Sequence, residues 1–249
     1  MARPSLNESW CYHWMIRFCI LLASLNLSSG KVLRIGSRSS PLALAQARLV
    51  SDAITEANPF VETEIVGFNA KGDSKGGVQD APLALQAVDF TGTLDDALHQ
   101  GDIDLAVHSL KDIPPSHRWE HCEEFVISCP LPREDPSDAL LGPYDSISSI
   151  PSGCTVGTSS IRRQAQLRSI SRDIKVVNIR GNLKSRLAAL EDGSVDALVL
   201  ANAGLNRQSR VDQSLLKFKR TIVPPTALLP GLCQGIVAAV AIRRKTRRI

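Results

Sequence analysis

Short apolar runs alternate with stretches of helical periodicity from Lys31 almost to the end of this 249-residue chain. The runs KVLRI, VETEIVGF and DLAV have the length and composition of buried strands, and LALAQARLVSDAITEA, between the first two, has the spacing of an amphipathic helix. Strands that alternate with helices are typical of βαβ units, in which a helix connects two parallel strands. The predicted fold class is therefore α/β.

A second series of strands and helices begins after Pro136 and ends before the segment PPTALLPG. One more apolar run, IVAAVAI, follows that segment, and we interpret it as a strand that returns to the first domain. The sequence thus predicts two domains joined by two crossovers. Their predicted limits are 31–131 together with 230–242 for the first domain and 136–226 for the second, flanked by a targeting segment at 1–30 and a basic tail at 243–249.

The N-terminal segment has the pattern of a signal peptide. From Met15 it reads MIRFCILLASLNLSSG, with a basic residue, an apolar stretch and a region of small residues. The apolar stretch is too short to cross a bilayer, so we expect no membrane partner. Both Met1 and Met15 are candidate start residues.

The net charge of +4 comes from the two ends of the chain. The last seven residues, RRKTRRI, carry five positive charges and residues 1–30 carry a net +1, which leaves −2 for residues 31–242. A folded part with this balance has no global basic surface, so we expect no nucleic-acid partner. The six cysteines form no CxxC pair, which argues against a disulfide framework and a zinc ribbon.

Polar side chains collect where predicted strands end and helices begin. Arg38 and Ser40 follow the first strand, and the segment after DLAV includes Ser109, Lys111 and Asp112. In open α/β sheets, ligands bind beyond the carboxyl ends of the strands. The corresponding positions of the second domain hold Thr158, Ser159, Ser160, Arg162, Arg163, Arg180, Arg186 and Arg207.

These positions predict a site for an anionic ligand. Helix N-termini offer unpaired backbone N–H groups and a partial positive charge, and a guanidinium binds a carboxylate through two parallel hydrogen bonds. We expect Arg207 to follow the last helix of the second domain and to join the other arginines around a ligand with several carboxylates. Phosphate is the alternative, but the sequence has neither a Walker-type loop nor a dinucleotide glycine fingerprint.

Asp112 is the predicted catalytic residue. A single carboxylate among several cations can stabilise a developing positive charge or transfer a proton on a substrate. The alternative is a role in a turn, because Asp-x-Pro sequences favour turns. The adjoining arginines favour the catalytic interpretation.

The run HRWEH indicates a different function, because His117, Glu120 and His121 match the H-x-x-E-H pattern of inverted zinc proteases. Such a site needs a helix at this position and a distant third ligand. The run instead follows Pro114 and Pro115 in a predicted connection. We therefore predict no metal site.

The motifs together resemble the porphobilinogen deaminase family, whose members are also called hydroxymethylbilane synthases. The matching segments occur in the family's order and cover nearly all of residues 31–242. They are RIGSRSSPLALAQA (34–47), AVHSLKDIP (106–114), REDPSDALL (133–141), VGTSSIRRQAQL (156–167), IRGNLKSRL (179–187), DALVLANAGLNR (196–207) and LPGLCQG (229–235).

The resemblance implies a transferase of porphyrin, heme or chlorophyll biosynthesis, which condenses four porphobilinogen units into a linear tetrapyrrole and releases ammonia at each step. It implies a dipyrromethane cofactor that primes the chain. It also implies two domains like those of type II periplasmic binding proteins, with a crossing return strand. We expect the protein to be a monomer.

The resemblance also assigns roles to residues. Asp112 is expected beside the pyrrole nitrogens, where it assists cationic azafulvene-type intermediates. The implied cofactor contacts are Ser109, Lys111, Asp112, Thr158, Ser159, Ser160, Arg162, Arg163, Arg180 and Arg186. The implied substrate contacts are Arg38, Ser40, Arg180, Arg186 and Arg207.

Two departures from the family pattern qualify the predicted activity. LQAVDFTGTLDDAL stands where the family has a glycine-lysine-glycine-leucine-phenylalanine segment, so Phe90 is retained and the lysine is missing. The family also anchors dipyrromethane on a cysteine of a third domain, which has no counterpart in this sequence, and Cys233 occupies a position that is normally glycine. An impaired or truncated homologue that binds porphobilinogen or another polycarboxylate is therefore the alternative function.

The leader bears on the expected compartment. The family operates in plastids of photosynthetic eukaryotes and in the cytosol elsewhere. A signal-peptide-like leader on such an enzyme predicts a plastid that is reached through the secretory route. The cytosol and the secretory pathway itself are the alternatives.

Overall fold

The computed structural model of the chain describes residues 32–69, 77–79, 91–113, 125–128 and 130–243. The predicted leader, the LQAVDF segment and the HRWEH run lie outside these residues. Within the described ranges, no helix is long and apolar enough to cross a membrane.

Among the described residues, the first part of the chain forms strands, helices and a short 3₁₀ turn. They are β1 (Leu33–Arg38), α1 (Pro41–Ala57), β2 (Thr63–Phe68), β3 (Gly77–Gln79), α2 (Gly92–Gln100), β4 (Leu105–Ser109), the 3₁₀ turn Leu110–Asp112 and β5 (Phe125–Ser128).

The second part continues the alternation of strands and helices. Its elements are β6 (Asp138–Leu141), the 3₁₀ turn Ile147–Ser149, β7 (Thr155–Gly157), α3 (Ile161–Ile170), β8 (Lys175–Arg180), α4 (Leu183–Glu191), β9 (Ala197–Ala201), α5 (Asn202–Ser209), the 3₁₀ turn Gln213–Lys217, β10 (Arg220–Val223) and β11 (Val237–Ile242).

The first sheet has the strand order β2-β1-β4-β11-β5. Strand β1 pairs in parallel with β2 and β4, while β11 pairs antiparallel with β4 and β5. Strand β11 is apolar and buried along almost its whole length, so it is stable only between two neighbours inside a sheet. This arrangement confirms the predicted return of the chain to the first sheet. The core beside it includes Leu33, Ile35, Val50, Ile54, Leu105 and Val237.

The second sheet has the order β10-β6-β9-β7-β8-β3. Strand β7 pairs in parallel with β8 and β9, and the outer strands are antiparallel. Strand β3 comes from the first part of the chain, yet it pairs with β8, with Gly77 opposite Arg180. The predicted limits of the first domain, 31–131, include this segment. The structure shows instead that it extends the second sheet, while the exact limits of the two domains stay predictions.

Local features fix where the site residues fall. Helix α1 begins at Pro41, whose missing N–H is no loss at the first helical position. The side chains of Ser160 and Asn182 cap α3 and α4 by accepting from the backbone N–H groups of Arg163 and Ser185. With these caps, α3 begins shortly after the end of β7 and α4 begins shortly after the end of β8.

One helix limit differs from the prediction. Arg207 was expected after the last helix of the second domain, but it lies inside α5, which continues to Ser209. The sequence NRQS contains neither glycine nor proline, so nothing ends the helix at Arg207.

Candidate functional site

A cleft of about 890 Å³ lies between residues that follow the strands of the first sheet and residues from α3, β8, α4 and α5. Almost all the predicted site residues line it. These are Arg38, Ser40, Ser109, Lys111, Asp112, Ser159, Ser160, Arg162, Arg163, Arg180, Arg186 and Arg207. The carboxyl ends of the strands therefore form the site, as open α/β sheets predict.

The lining of the cleft is strongly cationic. Nine of its side chains are lysine or arginine, and three are carboxylates. Lys184 and Lys217 extend the cationic set beyond the predicted arginines, although Lys217 pairs with Glu191. An excess of cations in a concave site favours a ligand with several negative charges.

Thr158 is the predicted site residue that the structure does not bring to the cleft. It is completely buried, its hydroxyl oxygen accepts from the backbone N–H of Ser160 at 3.4 Å, and its carbonyl accepts from Gln164 Nε2 at 2.9 Å. Its place is therefore in the turn that supports α3. A direct contact between Thr158 and a ligand stays a prediction.

Asp138, which no sequence pattern marks as a site residue, holds the two adjacent arginines of α3. Its Oδ2 accepts from Arg162 Nη2 at 2.7 Å, and its Oδ1 accepts from Arg163 Nη2 at 2.8 Å. Asp138 is completely buried. Burial acts to raise the pKa of Asp138, but the charge of Arg163 and the hydrogen bonds from Arg163, Arg162 and Gln234 outweigh it and hold the pKa below its usual value.

Arg163 is a buried cation of the cleft wall. It is only 5% exposed and also donates through Nη1 to the carbonyl of Val199 at 3.2 Å. Burial lowers the pKa of Arg163, although the charge and hydrogen bond of Asp138 act in the opposite direction. An arginine keeps its proton at any physiological pH, so this side chain presents a fixed positive charge.

Lys111 contributes a cation from the first sheet, because the 3₁₀ turn after β4 carries it toward the cleft. Its Nζ donates to Gln234 Oε1 at 3.3 Å. Burial is the largest cause of a lowered pKa for Lys111, about 8, with Arg163 and Arg162 acting in the same direction and Asp112 and Asp138 opposing it. Lys111 is therefore a cation whose charge changes within an accessible pH range.

Asp112 is an exposed carboxylate of the same 3₁₀ turn. Its charge favours the protonated form of Lys111, which belongs to the same turn, and that of Arg163, which lies on α3. A carboxylate in this position can face a ligand that the surrounding cations hold. The catalytic role of Asp112 stays a prediction.

Arg207 joins α5 to the connection that leads into β11. It is 6% exposed, and its Nη2 donates to the carbonyl of Gly235 at 2.5 Å. Burial is the largest cause of its lowered pKa, with Arg210 acting in the same direction and Glu134 opposing it. Arg207 therefore supports the wall of the cleft as well as lining it.

Two glutamines of the cleft were also missed. Gln46 lies on α1, and its Nε2 donates to Ser109 Oγ at 3.1 Å, which fixes the predicted serine. Gln234 is almost fully buried and contacts Lys111, Arg163 and Asp138. Neither glutamine has a sequence signal beyond its presence in the motifs SPLALAQA and LPGLCQG.

No group of metal-ligating side chains occurs among the residues that the structure describes. The zinc-protease interpretation of His117, Glu120 and His121 falls outside those residues and stays untested.

Solved structures with the same architecture confirm the predicted fold class. The second substrate-binding domain of a putative amino acid ABC transporter from Streptococcus pneumoniae aligns with a TM-score of 0.51 at 13% identity, covering 87% of each chain. An ancestral cationic amino acid solute-binding protein aligns with a TM-score of 0.50 at 14% identity, covering 94% of this chain and 88% of that chain. The chain therefore has the two-domain α/β fold of type II periplasmic binding proteins.

Curated relatives are similar in sequence. A porphobilinogen deaminase from Xanthomonas axonopodis pv. citri is 45% identical over 212 residues, and one from Stenotrophomonas maltophilia is 39% identical over 211 residues. These alignments cover 83% and 84% of this chain, which spans 65% and 66% of the relatives' own lengths.

The family model described as "Porphobilinogen deaminase, dipyromethane cofactor binding domain" matches residues 33–249. That match includes both sheets and every residue of the cleft. The chain therefore belongs to the porphobilinogen deaminase family, and the matched part is its dipyrromethane cofactor-binding domain.

Proposed function

We propose that this chain is a hydroxymethylbilane synthase-type transferase, which joins four porphobilinogen units into a linear tetrapyrrole and releases ammonia at each step. The observation that carries the proposal is the exposed carboxylate of Asp112 at a cleft in which cations outnumber carboxylates nine to three. The excess of cations accounts for binding of the substrate, and the exposed carboxylate of Asp112 accounts for chemistry on the substrate.

The cations account for recognition of porphobilinogen. Each porphobilinogen carries an acetate and a propionate, so every added unit brings two more carboxylates into the cleft. The guanidinium forks of Arg38, Arg180 and Arg186 suit carboxylates better than point charges do. The nine cations of the cleft thus suit a pyrrole chain that gains two carboxylates with each porphobilinogen added.

The same side chains suit dipyrromethane, which carries four carboxylates on two pyrrole rings. Arg162 and Arg163 are held in place by Asp138, and Ser109, Ser159 and Ser160 add polar groups beside them. When bound, the cofactor supplies the pyrrole carbon to which the first substrate is joined. The residues of this chain bind and orient its carboxylates.

Asp112 acts where the substrate becomes positively charged. The protonated aminomethyl group breaks its carbon–nitrogen bond, the nitrogen leaves as neutral ammonia with the electron pair of that bond, and the remaining pyrrole carries the positive charge. A carboxylate that accepts from the pyrrole N–H stabilises this cation. A new carbon–carbon bond then forms, and the acceptor pyrrole carbon loses its proton. Asp112 can receive that proton because it lies exposed at the cleft.

The test separates binding from turnover with Asp112→Asn. We expect this variant to bind porphobilinogen in calorimetry while ammonia release falls by on the order of a hundredfold, the lower range for loss of a proton-transferring group. Asp192→Asn is the matched control, because it makes the same change of charge on an exposed residue outside the cleft. Full ammonia release by Asp112→Asn would show that another group does the chemistry.

The sequence pattern of the leader supports a separate proposal, namely that residues 1–30 direct the chain into the secretory route toward a plastid. A fusion of residues 1–30 to a fluorescent protein is expected to enter that route. A reporter that stays in the cytosol would contradict the proposal.

A further inference from the structure

Gln234 lies where the two crossover connections meet. It is 1% exposed, and all of its side-chain polar atoms have partners inside the protein. The oxygen Oε1 accepts from Lys111 Nζ and from Arg163 Nη2, each at 3.3 Å. The nitrogen Nε2 donates to Asp138 Oδ1 at 2.7 Å and to the carbonyl of Pro136 at 2.6 Å. These four are its shorter side-chain hydrogen bonds, and a longer one runs from Nε2 to the carbonyl of Ser137 at 3.4 Å.

The chemistry of the four partners fixes the direction of this amide. A lysine ammonium and an arginine guanidinium only donate hydrogen bonds, while an ionised carboxylate and a carbonyl only accept them. The amide oxygen must therefore face Lys111 and Arg163, and the nitrogen must face Asp138 and Pro136. A flipped amide would set donors against donors and acceptors against acceptors at all four contacts.

The contacts of Gln234 join the two sides of the cleft. Lys111 comes from the turn that follows β4 of the first sheet, whereas Asp138 opens β6 and Arg163 lies on α3, both in the second part of the chain. Two cations that repel each other thus converge on one neutral oxygen. The same side chain holds Asp138, on which the direction of Arg163 depends.

We propose that Gln234 is a positioning residue, whose side-chain amide holds the Lys111 ammonium and the Arg163 guanidinium in a fixed relation across the cleft so that both reach the carboxylates of one ligand. The identity of that ligand rests on the proposed function. The arrangement of the three side chains is independent of the proposed function and can be measured without substrate.

Two variants change the amide in opposite directions. Gln234→Met has similar volume and removes all four hydrogen bonds, so the ammonium of Lys111 loses its acceptor. Gln234→Glu keeps the shape and places one carboxylate oxygen beside Lys111 and Arg163, while its second oxygen meets the acceptors Asp138 and Pro136 in place of the amide donor. Gln164→Met is the matched control, because Gln164 is equally buried and donates only to a backbone carbonyl behind the cleft wall.

The first readout is the pH dependence of acetylation at Lys111, measured on the full chain without ligand by competitive labelling and peptide mass spectrometry. The charged groups that act on Lys111 are Asp112, Asp138, Arg162 and Arg163, and the variants retain all of them. We expect the pKa of Lys111, about 8 in the unchanged chain, to fall in Gln234→Met and to rise in Gln234→Glu. Gln164→Met is expected to leave the labelling profile unchanged.

The second readout is the affinity for porphobilinogen in calorimetry, which we expect to weaken on the order of tenfold in Gln234→Met and to stay unchanged in Gln164→Met. An unchanged labelling profile in both Gln234 variants would overturn the proposal, and so would a profile that Gln164→Met shifts equally. If Gln234→Met does not fold, an unchanged profile in Gln234→Glu alone overturns it. The unchanged chain could bind no porphobilinogen while the Lys111 labelling profiles of Gln234→Met and Gln234→Glu shift in opposite directions. That result would contradict the proposed function and support the arrangement around Gln234.

Discussion

Replacing Asp138 by asparagine removes the carboxylate to which the two adjacent arginines of α3, Arg162 and Arg163, are paired. Asp138 Oδ2 accepts from Arg162 Nη2 at 2.7 Å, and Oδ1 accepts from Arg163 Nη2 at 2.8 Å and from Gln234 Nε2 at 2.7 Å. Asparagine has a single acceptor oxygen, so its NH₂ group must face at least one of these donors. The most tolerable orientation turns the NH₂ group toward Arg162, which is the more exposed arginine.

The expected loss of stability follows from the burial of the two arginines. The side chain of Arg162 is 26% exposed and can turn toward water, whereas that of Arg163 is 7% exposed and would keep a buried charge without its counter-ion. Removing one partner of a buried ion pair lowers the free energy of unfolding by about 3–5 kcal/mol. Since asparagine still accepts from Arg163, we expect the lower limit, about 3 kcal/mol.

The pH dependence gives an independent check. The folded-state pKa of Asp138 lies below its unfolded value, because Arg163, Arg162 and Gln234 together outweigh the effect of burial. The ionised Asp138 carboxylate therefore stabilises the fold fully above the unfolded pKa of about 3.9. This contribution to the free energy of unfolding is lost as the pH falls through the lower folded pKa. The difference in the free energy of unfolding between the unchanged chain and Asp138→Asn should be constant from pH 7 to about pH 5 and should shrink below about pH 4.

The assay is urea unfolding followed by circular dichroism at a series of pH values. Asp145→Asn is the matched control, because Asp145 pairs with Lys219 at 2.7 Å in an exposed position, where the loss should be at most about 1 kcal/mol. A loss below about 1 kcal/mol for Asp138→Asn at pH 7 would refute the assignment of Asp138 as the counter-ion that holds the arginines.

The remaining predictions concern the connection into β11 and the charge of Lys111. Cys233 has φ of 59°, a left-handed conformation that disfavours side chains, so Cys233→Gly should raise the free energy of unfolding by about 0.5–1 kcal/mol in urea titrations; a loss of stability would contradict this. Gly235 has φ of 93°, and an added Cβ would overlap the carbonyl oxygen of Glu134. Gly235→Ala should therefore lower the free energy of unfolding by more than about 1 kcal/mol in urea titrations. An equally stable variant would show that this backbone can shift. The affinity for porphobilinogen should fall as the pH rises through the Lys111 pKa of about 8, because the ammonium loses its charge, and calorimetry on Lys111→Met should show a flatter profile; identical profiles would exclude Lys111 from binding.

The sequence predicted those parts of the fold that depend on patterns of burial. The return strand β11 was predictable because VAAVAI is apolar on both faces and must lie inside a sheet. Strand β3 was not, because three residues of ordinary composition carry no periodicity and form a strand only through pairing with β8. The end of α5 was placed too early because no local residue marks it.

The predictable part of the site consisted of charged residues at the ends of strands. Arg38 is the last residue of β1, Lys111 and Asp112 lie in the turn after β4, and the parallel pairing of these strands brings the three residues to one edge of the sheet. Asp138 was missed because an aspartate at the start of a strand looks the same in sequence whether it faces solvent or two arginines. Gln234 was missed for a similar reason, since its four partners come from three separate segments.

The most direct test of the account is turnover of porphobilinogen by the purified chain of residues 1–249. The measurement follows ammonia release and the mass of the pyrrole product together, with Asp112→Asn in parallel. The account predicts one ammonia for each porphobilinogen consumed, hydroxymethylbilane as the product, and little of either from the variant. A folded chain that binds porphobilinogen in calorimetry yet releases no ammonia would contradict the account and leave the cleft as a binding site for polycarboxylates.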